Sequence, residues 1–355
     1  MNQDLEPKRA GTHLEPASIK RTHLSRLPIG DTDIASVIHS GYYADKTKLV
    51  GKLLLEGKTS FLVRPRRFGK SLFVNTIAAI AEGANKELFK DCFISNGEFE
   101  DENGDIIKYD WKKYPVIRLD FSGLNNTSSD KLEGDLIELL EDIALQYKVK
   151  ITGKSLQTRF RRLINTLITL KKGYEPKIVL LIDEYDSPVI NLNWDSQNYK
   201  DCMKVLSDFF ATVKSCANNC QLIFVTGVYK FVLSGLGSGA NILHDGDISL
   251  DEDVSDIVGY REEDIRALFK NNFDNICDRR TEITGIDQST ETVVKNLKKY
   301  YNGYRFSNSN KGPNVFNPTS ILHFFKSGEL LGYWKDTADT RLLVKQMQDN
   351  IERFS

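Results

Sequence analysis

Four short apolar runs constrain this chain more than any other feature. "TSFLVRP", "YPVIRLDFSG" near 115 to 122, "KIVLLIDEYD" near 177 to 184 and "QLIFVTGV" near 221 to 228 are continuous Val/Ile/Leu/Phe stretches, not alternating ones. A strand with one face in water alternates, whereas a strand covered on both faces does not. Between the runs lie stretches of helical spacing, "GKSLFVNTIAAIAEG", "DKLEGDLIELLEDIALQY", "SLQTRFRRLINTLITLKKG" and "NYKDCMKVLSDFFATVKSC". Parallel neighbours need a crossover, so the alternation predicts an α/β sandwich with helices on both faces of a mostly parallel sheet. A fifth, weaker strand is expected in "HDGDISLD" near 244 to 251, which makes the expected sheet five-stranded.

After Gly259-Tyr260 the texture changes. "REEDIRALFKNNF" and "ETVVKNLKKYY" read as helices, "NGYRFS" and "GPNVFNP" as turns with short strands, and "PTSILHFFKSG" as a further helix with a Thr or Ser cap. The expected organisation is a disordered polar tail over 1–28, a core over 29–258, a small helical lid-like domain over 259–345 and a C-terminal tail over 346–355. The first 28 residues are too polar to bury enough surface to order themselves.

The chain has 355 residues and a net charge of -1, so no global basic field points to nucleic acid or a membrane surface. Five cysteines without regular spacing suggest reduced thiols and a cytoplasmic location. Cys216 and Cys220 form a CxxxC pair with no further ligands nearby, which argues against a zinc site. No apolar run reaches the roughly 18 residues that span a bilayer, and no signal-peptide core is visible at the N-terminus.

Ligands in parallel α/β sheets sit beyond the carboxyl ends of the strands. The first run leads into Gly69-Lys70-Ser71 and a helix, the context of a phosphate-binding loop. Lys70 would neutralise the β and γ phosphates and Ser71 would bind Mg²⁺. The third run ends in Asp183-Glu184: the first acid would hold the metal and the second would orient or deprotonate a water. The fourth ends in Thr226-Gly227, where a hydroxyl can sense the γ-phosphate. One element departs from G-x-x-x-x-G-K-[ST]: Arg64 stands at the first glycine.

Taken in order, "LPIG", "YYADKTKLV", "FLVRPRRFGKSLF", "VLLIDEYDSPV", "FVTGVYKF", "SGLGSGANILHDGDISLD" and "YYNGYRFS…VFNPTSILHFF…YW" resemble the bacterial AAA-ATPase-like family, with its signature RPRRFGKS and IDEYD. The resemblance runs from Leu27 to about Asp336. It implies a P-loop NTPase fold, ATP with Mg²⁺, and an arginine in place of the first glycine as a rule. Pro65 offers a physical reason, since it fixes φ and extends its neighbour without glycine. By this resemblance Arg64, Arg66, Arg67, Phe68, Gly69, Lys70, Ser71 and Leu72 form the nucleotide cradle. At least one of the three arginines contacts a phosphate, or else they bind a partner or face solvent. Asp45 of the DKT element lies near the base or ribose; capping the next helix fits Asp45 equally well. Tyr42 or Tyr43 stacks on adenine or sits in the core, and Arg305 either reaches the nucleotide or lies in a surface turn.

Two departures fall after the fourth run: Tyr229 where relatives often have Ser, and a longer "GLGSGANILHDG". Many relatives continue into a PD-(D/E)XK nuclease-like domain, and no acid with an E-x-K pair is found after 260. The reading is therefore a Mg²⁺-dependent ATPase, slow without a protein partner or oligomer. The rivals are a nucleotide-dependent binding switch with negligible hydrolysis, and a nucleic-acid-binding module using the basic run from Lys148 to Lys172 with Arg159, Arg161 and Arg162. A small-molecule kinase is disfavoured, because no acceptor-pocket signature is present.

Overall fold

The computed structural model describes residues 26–83, 86–101, 103–170, 173–230, 241–309 and 312–333. The expected C-terminal tail, most of the N-terminal tail and residues 231–240, which include the start of the longer segment, lie outside these.

In chain order the elements are α1 (Ile34–Ser40), α2 (Thr47–Glu56), β1 (Thr59–Val63), α3 (Lys70–Ala81), α4 (Phe93–Asn96), β2 (Glu98–Glu100), β3 (Ile106–Lys108), β4 (Val116–Asp120), α5 (Ser129–Gln146), α6 (Leu156–Leu167), β5 (Ile178–Asp183), α7 (Ser187–Ile190), α8 (Gln197–Ser215) and β6 (Cys220–Gly227). They are followed by α9 (Asn241–Asp245), α10 (Glu262–Leu268), α11 (Phe273–Thr284), α12 (Thr290–Tyr301), β7 (Tyr304–Arg305), β8 (Asn314–Val315) and α13 (Pro318–Ser327). The four apolar runs form one parallel sheet in the order β1-β6-β5-β4.

The continuity of those runs is explained by where alternate residues go. Successive side chains on a strand point to opposite faces. Leu180 and Ile182 of β5 enter one core with Leu136, Phe160 and Phe209 of α5, α6 and α8. Val179 and Leu181 enter a second core with Leu54, Phe73 and Ile77 of α2 and α3. Every residue of β5 is buried, as a central strand of a two-faced sheet requires. β4 lies at the edge and exposes Arg118 and Asp120.

Among the described residues the sheet has four strands, not the five expected. The segment at 244–251 makes a single parallel bridge, Phe61 to Asp247, on the outer edge of β1. The Phe61 amide donates to Gly246 O at 2.7 Å, and the Ile248 amide donates to Phe61 O at 3.0 Å. Side chains then interrupt the ladder. The Asp247 carboxylate turns back to accept from the Ser249 amide, and the Val63 amide donates to the Ser249 hydroxyl at 2.9 Å. A serine side chain thus replaces the next backbone acceptor.

Helix starts follow local capping chemistry. Ser128, Ser155, Ser196 and Ser289 each accept from an amide in the first turn of α5, α6, α8 and α12. For α13 the expected Thr or Ser cap is corrected: Asn317 is the cap, and Pro318 occupies the first turn, where its missing N–H costs nothing. "NGYRFS" and "GPNVFNP" supply the antiparallel pair β7-β8. A third core unites α10 to α13, with Phe269 stacked on Phe325 at 4.1 Å between centroids. Tyr42 and Ala44 belong to this core, and Leu27 and Ile29 pack against it. The segment just before α2 therefore joins the helical part to the sheet. Among the described residues no helix is long and apolar enough to cross a membrane.

Candidate functional site

The loop between β1 and α3 is anchored by its side chains and opened by its backbone. Phe68 is fully buried, edge-on to Tyr304 at 4.7 Å and Phe306 at 5.4 Å. Arg67 and Gly69 both have left-handed backbones, with φ of 65° and 92°. Such conformations build anion-binding concavities of N–H groups. Gly69 is the N-cap of α3 and offers no side chain to its amides. Space does not dictate this glycine, because a Cβ there would meet nothing within 4 Å; its φ does. The α3 N-terminus thus keeps its free donors and positive dipole end.

Lys70 is buried at 5% exposure and donates to Arg64 O at 3.1 Å and Pro65 O at 3.2 Å. Burial lowers its pKa; the charges of Asp183, Glu184 and Asp186 oppose that shift. Ser71, in the first turn of α3, lies close enough to Asp183 at the end of β5 to pull that carboxyl's pKa down. Burial raises the pKa of Asp183, against the pull of Ser71 and Lys70. Glu184 follows in a left-handed conformation, φ 52°. Strain of this kind persists only where neighbours fix it. Here the Glu184 amide donates to Asp183 Oδ1, the Tyr185 amide to Thr226 O, and the Phe121 amide to Asp183 O. Burial raises the Glu184 pKa as well, followed by opposing and reinforcing effects of Lys70, Asp183 and Asp120.

Thr226 is fully buried, opposite Leu62 in the register, and its hydroxyl has no hydrogen-bond partner. The structure therefore gathers Lys70, Ser71, Asp183 and Glu184, with Thr226 on the neighbouring strand. Asp120 was not singled out from sequence. It pairs with Asp183 in register at the last position of β4, and its charge bears on both acids. The signal was present, since "VIRLD" ends in an acid just as "LLID" does. Asp186 is committed elsewhere: its carboxylate accepts from the amides of Val228 and Tyr229, tying the end of β5 to the loop after β6.

The three loop arginines separate. Arg66 and Arg67 are exposed, while Arg64 is 1% exposed. The Arg64 guanidinium donates to Val63 O and Ser249 O, and its Cζ lies 4.1 Å from the Phe306 ring centre. Burial pushes its pKa down to about 10, partly offset by Asp247 and Asp256. Asp45 is not the N-cap of α2, which is Lys46; its carboxylate accepts from the amides of Thr47 and Phe93, the first residues of α2 and α4. Tyr42 is a core tyrosine whose hydroxyl donates to Asn272 at 3.1 Å. Arg305 donates to Asn314 across the β7-β8 pair. In the basic run, Arg159 pairs with Glu141 and Arg162 donates to Thr152.

A small cleft of about 70 Å³ opens beside Gly69. Leu72 and Phe73 of α3, Tyr42 and Tyr43, Ile257 to Tyr260 and Pro318 line it. Its walls are mostly apolar. It lies where the sheet part meets the helical part.

A family described as Predicted AAA-ATPase matches residues 28–237. The chain is also 30% identical over 322 residues to the "Uncharacterized protein in vnfD 5'region" of Azotobacter chroococcum mcd 1. That alignment covers 90% of this chain and 55% of the relative, so the chain spans about half of the relative's length. Together with the RPRRFGKS loop after β1 and the adjacent acids at the end of β5, the match means that the chain belongs to the AAA-ATPase-like family.

Proposed function

We propose that the protein binds ATP with Mg²⁺ and hydrolyses it to drive a conformational switch. The observation that carries this reading is the buried Lys70 at the start of α3, with Asp183 and Glu184 at the end of β5 acting on it through their charges. The α3 amides and Lys70 would hold the β and γ phosphates.

Among the described residues no group of three or more His, Cys, Asp and Glu side chains forms a metal cage. Mg²⁺ in phosphate sites needs none, since one or two protein oxygens, phosphates and water complete its shell. Ser71 and Asp183 fit that donor set and would hold it. When bound, Mg²⁺ would neutralise charge developing on the phosphate oxygens. Glu184 would accept a proton from the attacking water; its burial-raised pKa suits a base better than an ordinary carboxylate. The Thr226 hydroxyl, buried and unpartnered, would donate to the γ-phosphate or to that water.

The test is phosphate release from Mg-ATP by the purified chain, with Lys70→Ala and Glu184→Gln beside it. Release that both substitutions abolish supports the reading. Binding without release in the wild type would instead favour a nucleotide-dependent switch.

A further inference from the structure

Arg67 and Gly69 of the phosphate loop both have left-handed backbones, with φ of 65° and 92°. Glycine takes that conformation freely, whereas an arginine is strained there and stays only where neighbours fix it. The neighbours come from the chain after Gly259. Thr319, in the first turn of α13, donates its hydroxyl to Arg67 O at 3.3 Å, and Arg67 Nη1 donates to Tyr333 O at 3.5 Å. Between the two left-handed residues, Phe68 is fully buried, edge-on to Tyr304 of β7 and to Phe306 just after it. The backbone that shapes the anion cradle is thus braced by the helical part, on both its carbonyl and its central side chain.

Resting on the nucleotide reading above, we propose that Tyr304, Phe306 and Thr319 are positioning residues for phosphate binding, holding the strained loop in its anion-accepting shape. They act through the loop and need not touch the phosphates. Successive N–H groups in left-handed conformations form an anion concavity. A loop that leaves this shape binds only for the fraction of time it returns, and its apparent affinity falls by that fraction. Coupling of this kind is reciprocal, so phosphate in the loop tightens the start of α13 and the β7-β8 pair in turn. The same joint between sheet and helical part is fastened elsewhere by Lys46, which pairs with Asp256 at 3.6 Å and Asp264 at 3.5 Å. Lys46 makes none of the contacts that brace Arg67 and Phe68, which separates general loosening of the joint from release of the loop.

The experiment measures dissociation constants of inorganic tripolyphosphate and Mg-ATP for the wild type and four variants, each well below its Tm. Tyr304→Leu should weaken both ligands by one common factor of about threefold to tenfold, the size of an aromatic pair. Thr319→Val removes the donor to Arg67 O at nearly constant volume and should weaken both about fivefold. Thr319→Ser keeps the hydroxyl and should bind as the wild type does. Lys46→Met loosens the joint away from the loop and should leave tripolyphosphate affinity unchanged. In hydrolysis, Tyr304→Leu and Thr319→Val should raise KM with kcat little altered, because saturating ligand restores the loop. Unchanged affinity in either Tyr304→Leu or Thr319→Val overturns the proposal. So does an equal loss in Thr319→Ser or Lys46→Met, as a merely structural role would give that. Failure of the nucleotide reading is distinct: tripolyphosphate binding would then survive Lys70→Ala. A wild type that binds neither ligand overturns both.

Discussion

Asp183 ends β5 with its Oδ1 accepting from the Glu184 amide at 3.0 Å. Glu184 is the next residue, yet its left-handed backbone sends it on a different course. The two acids should therefore fail differently when neutralised. Glu184→Gln keeps shape and removes the base, so turnover should fall by roughly 10²- to 10⁴-fold with ATP affinity little changed. Asp183→Asn removes charge from the metal shell and should weaken Mg²⁺ dependence and ATP affinity together. Single-turnover hydrolysis and nucleotide titrations separate the two. Wild-type turnover in Glu184→Gln would defeat the assignment, and Asp186 would not replace it, because its carboxylate is bound to the Val228 and Tyr229 amides.

Nucleotide should stabilise the fold. A ligand at about 100 times its dissociation constant adds roughly 2.7 kcal/mol to the native state. Mg-ATP should raise Tm by a few degrees, and Lys70→Ala should remove most of the rise. An equal rise in the variant, read by calorimetry, would place the ATP elsewhere.

The pH dependence has a defined sign. Glu184 must be ionised to act as a base, and its folded pKa is raised by burial. The acid limb of kcat should therefore lie above the ordinary Glu value of about 4.3. Asp120 contributes to that shift through its charge, so Asp120→Asn should move the limb to lower pH. An unmoved limb would remove Asp120 from the site. Stability in the absence of nucleotide changes with pH in the opposite sense to kcat. Asp183, Glu184 and Asp186 all have folded pKa values raised by burial. Their contribution is fully present below the unfolded pKa and is lost as pH rises through the folded one.

Much of this site is legible from sequence because each of its parts is local. A continuous apolar run and the polar residues after it are read together, which located β1, β4, β5 and β6 and the residues Lys70, Ser71, Asp183 and Glu184. What could not be read depends on partners far away in the chain. Nothing near Lys46 announces Asp256, Asp264 and Arg261. The pair β2-β3 consists of three-residue strands, too short for a period to register. The fifth strand reduced to one bridge because a Ser249 hydroxyl took a backbone position, which hydrophobic pattern does not encode.

Arg64 shows the same limit and gives the last prediction. From sequence it is a candidate phosphate ligand at a position that glycine usually holds. In the fold its guanidinium is buried against Phe306 and bonded to Val63 O and Ser249 O. Two of its nitrogens, Nε and Nη2, are buried without partners. Such an arginine stabilises less than its contacts suggest, because desolvating a charge offsets them. The face of Phe306 returns part of that cost, as a desolvated cation over a ring is worth up to about 2 kcal/mol. Arg64→Gly removes all of this packing and should destabilise the protein by about 2 kcal/mol or more. Arg64→Met keeps most of the volume and should cost less, leaving the Ser249 carbonyl without its donor. A double-mutant cycle with Phe306→Leu should show coupling of about 1 kcal/mol with Arg64→Met. ATP affinity of Arg64→Met, measured well below its Tm, should stay within about threefold of wild type, less than 1 kcal/mol. A tenfold loss of affinity without coupling to Phe306 would return Arg64 to the phosphates and make its buried position a resting state.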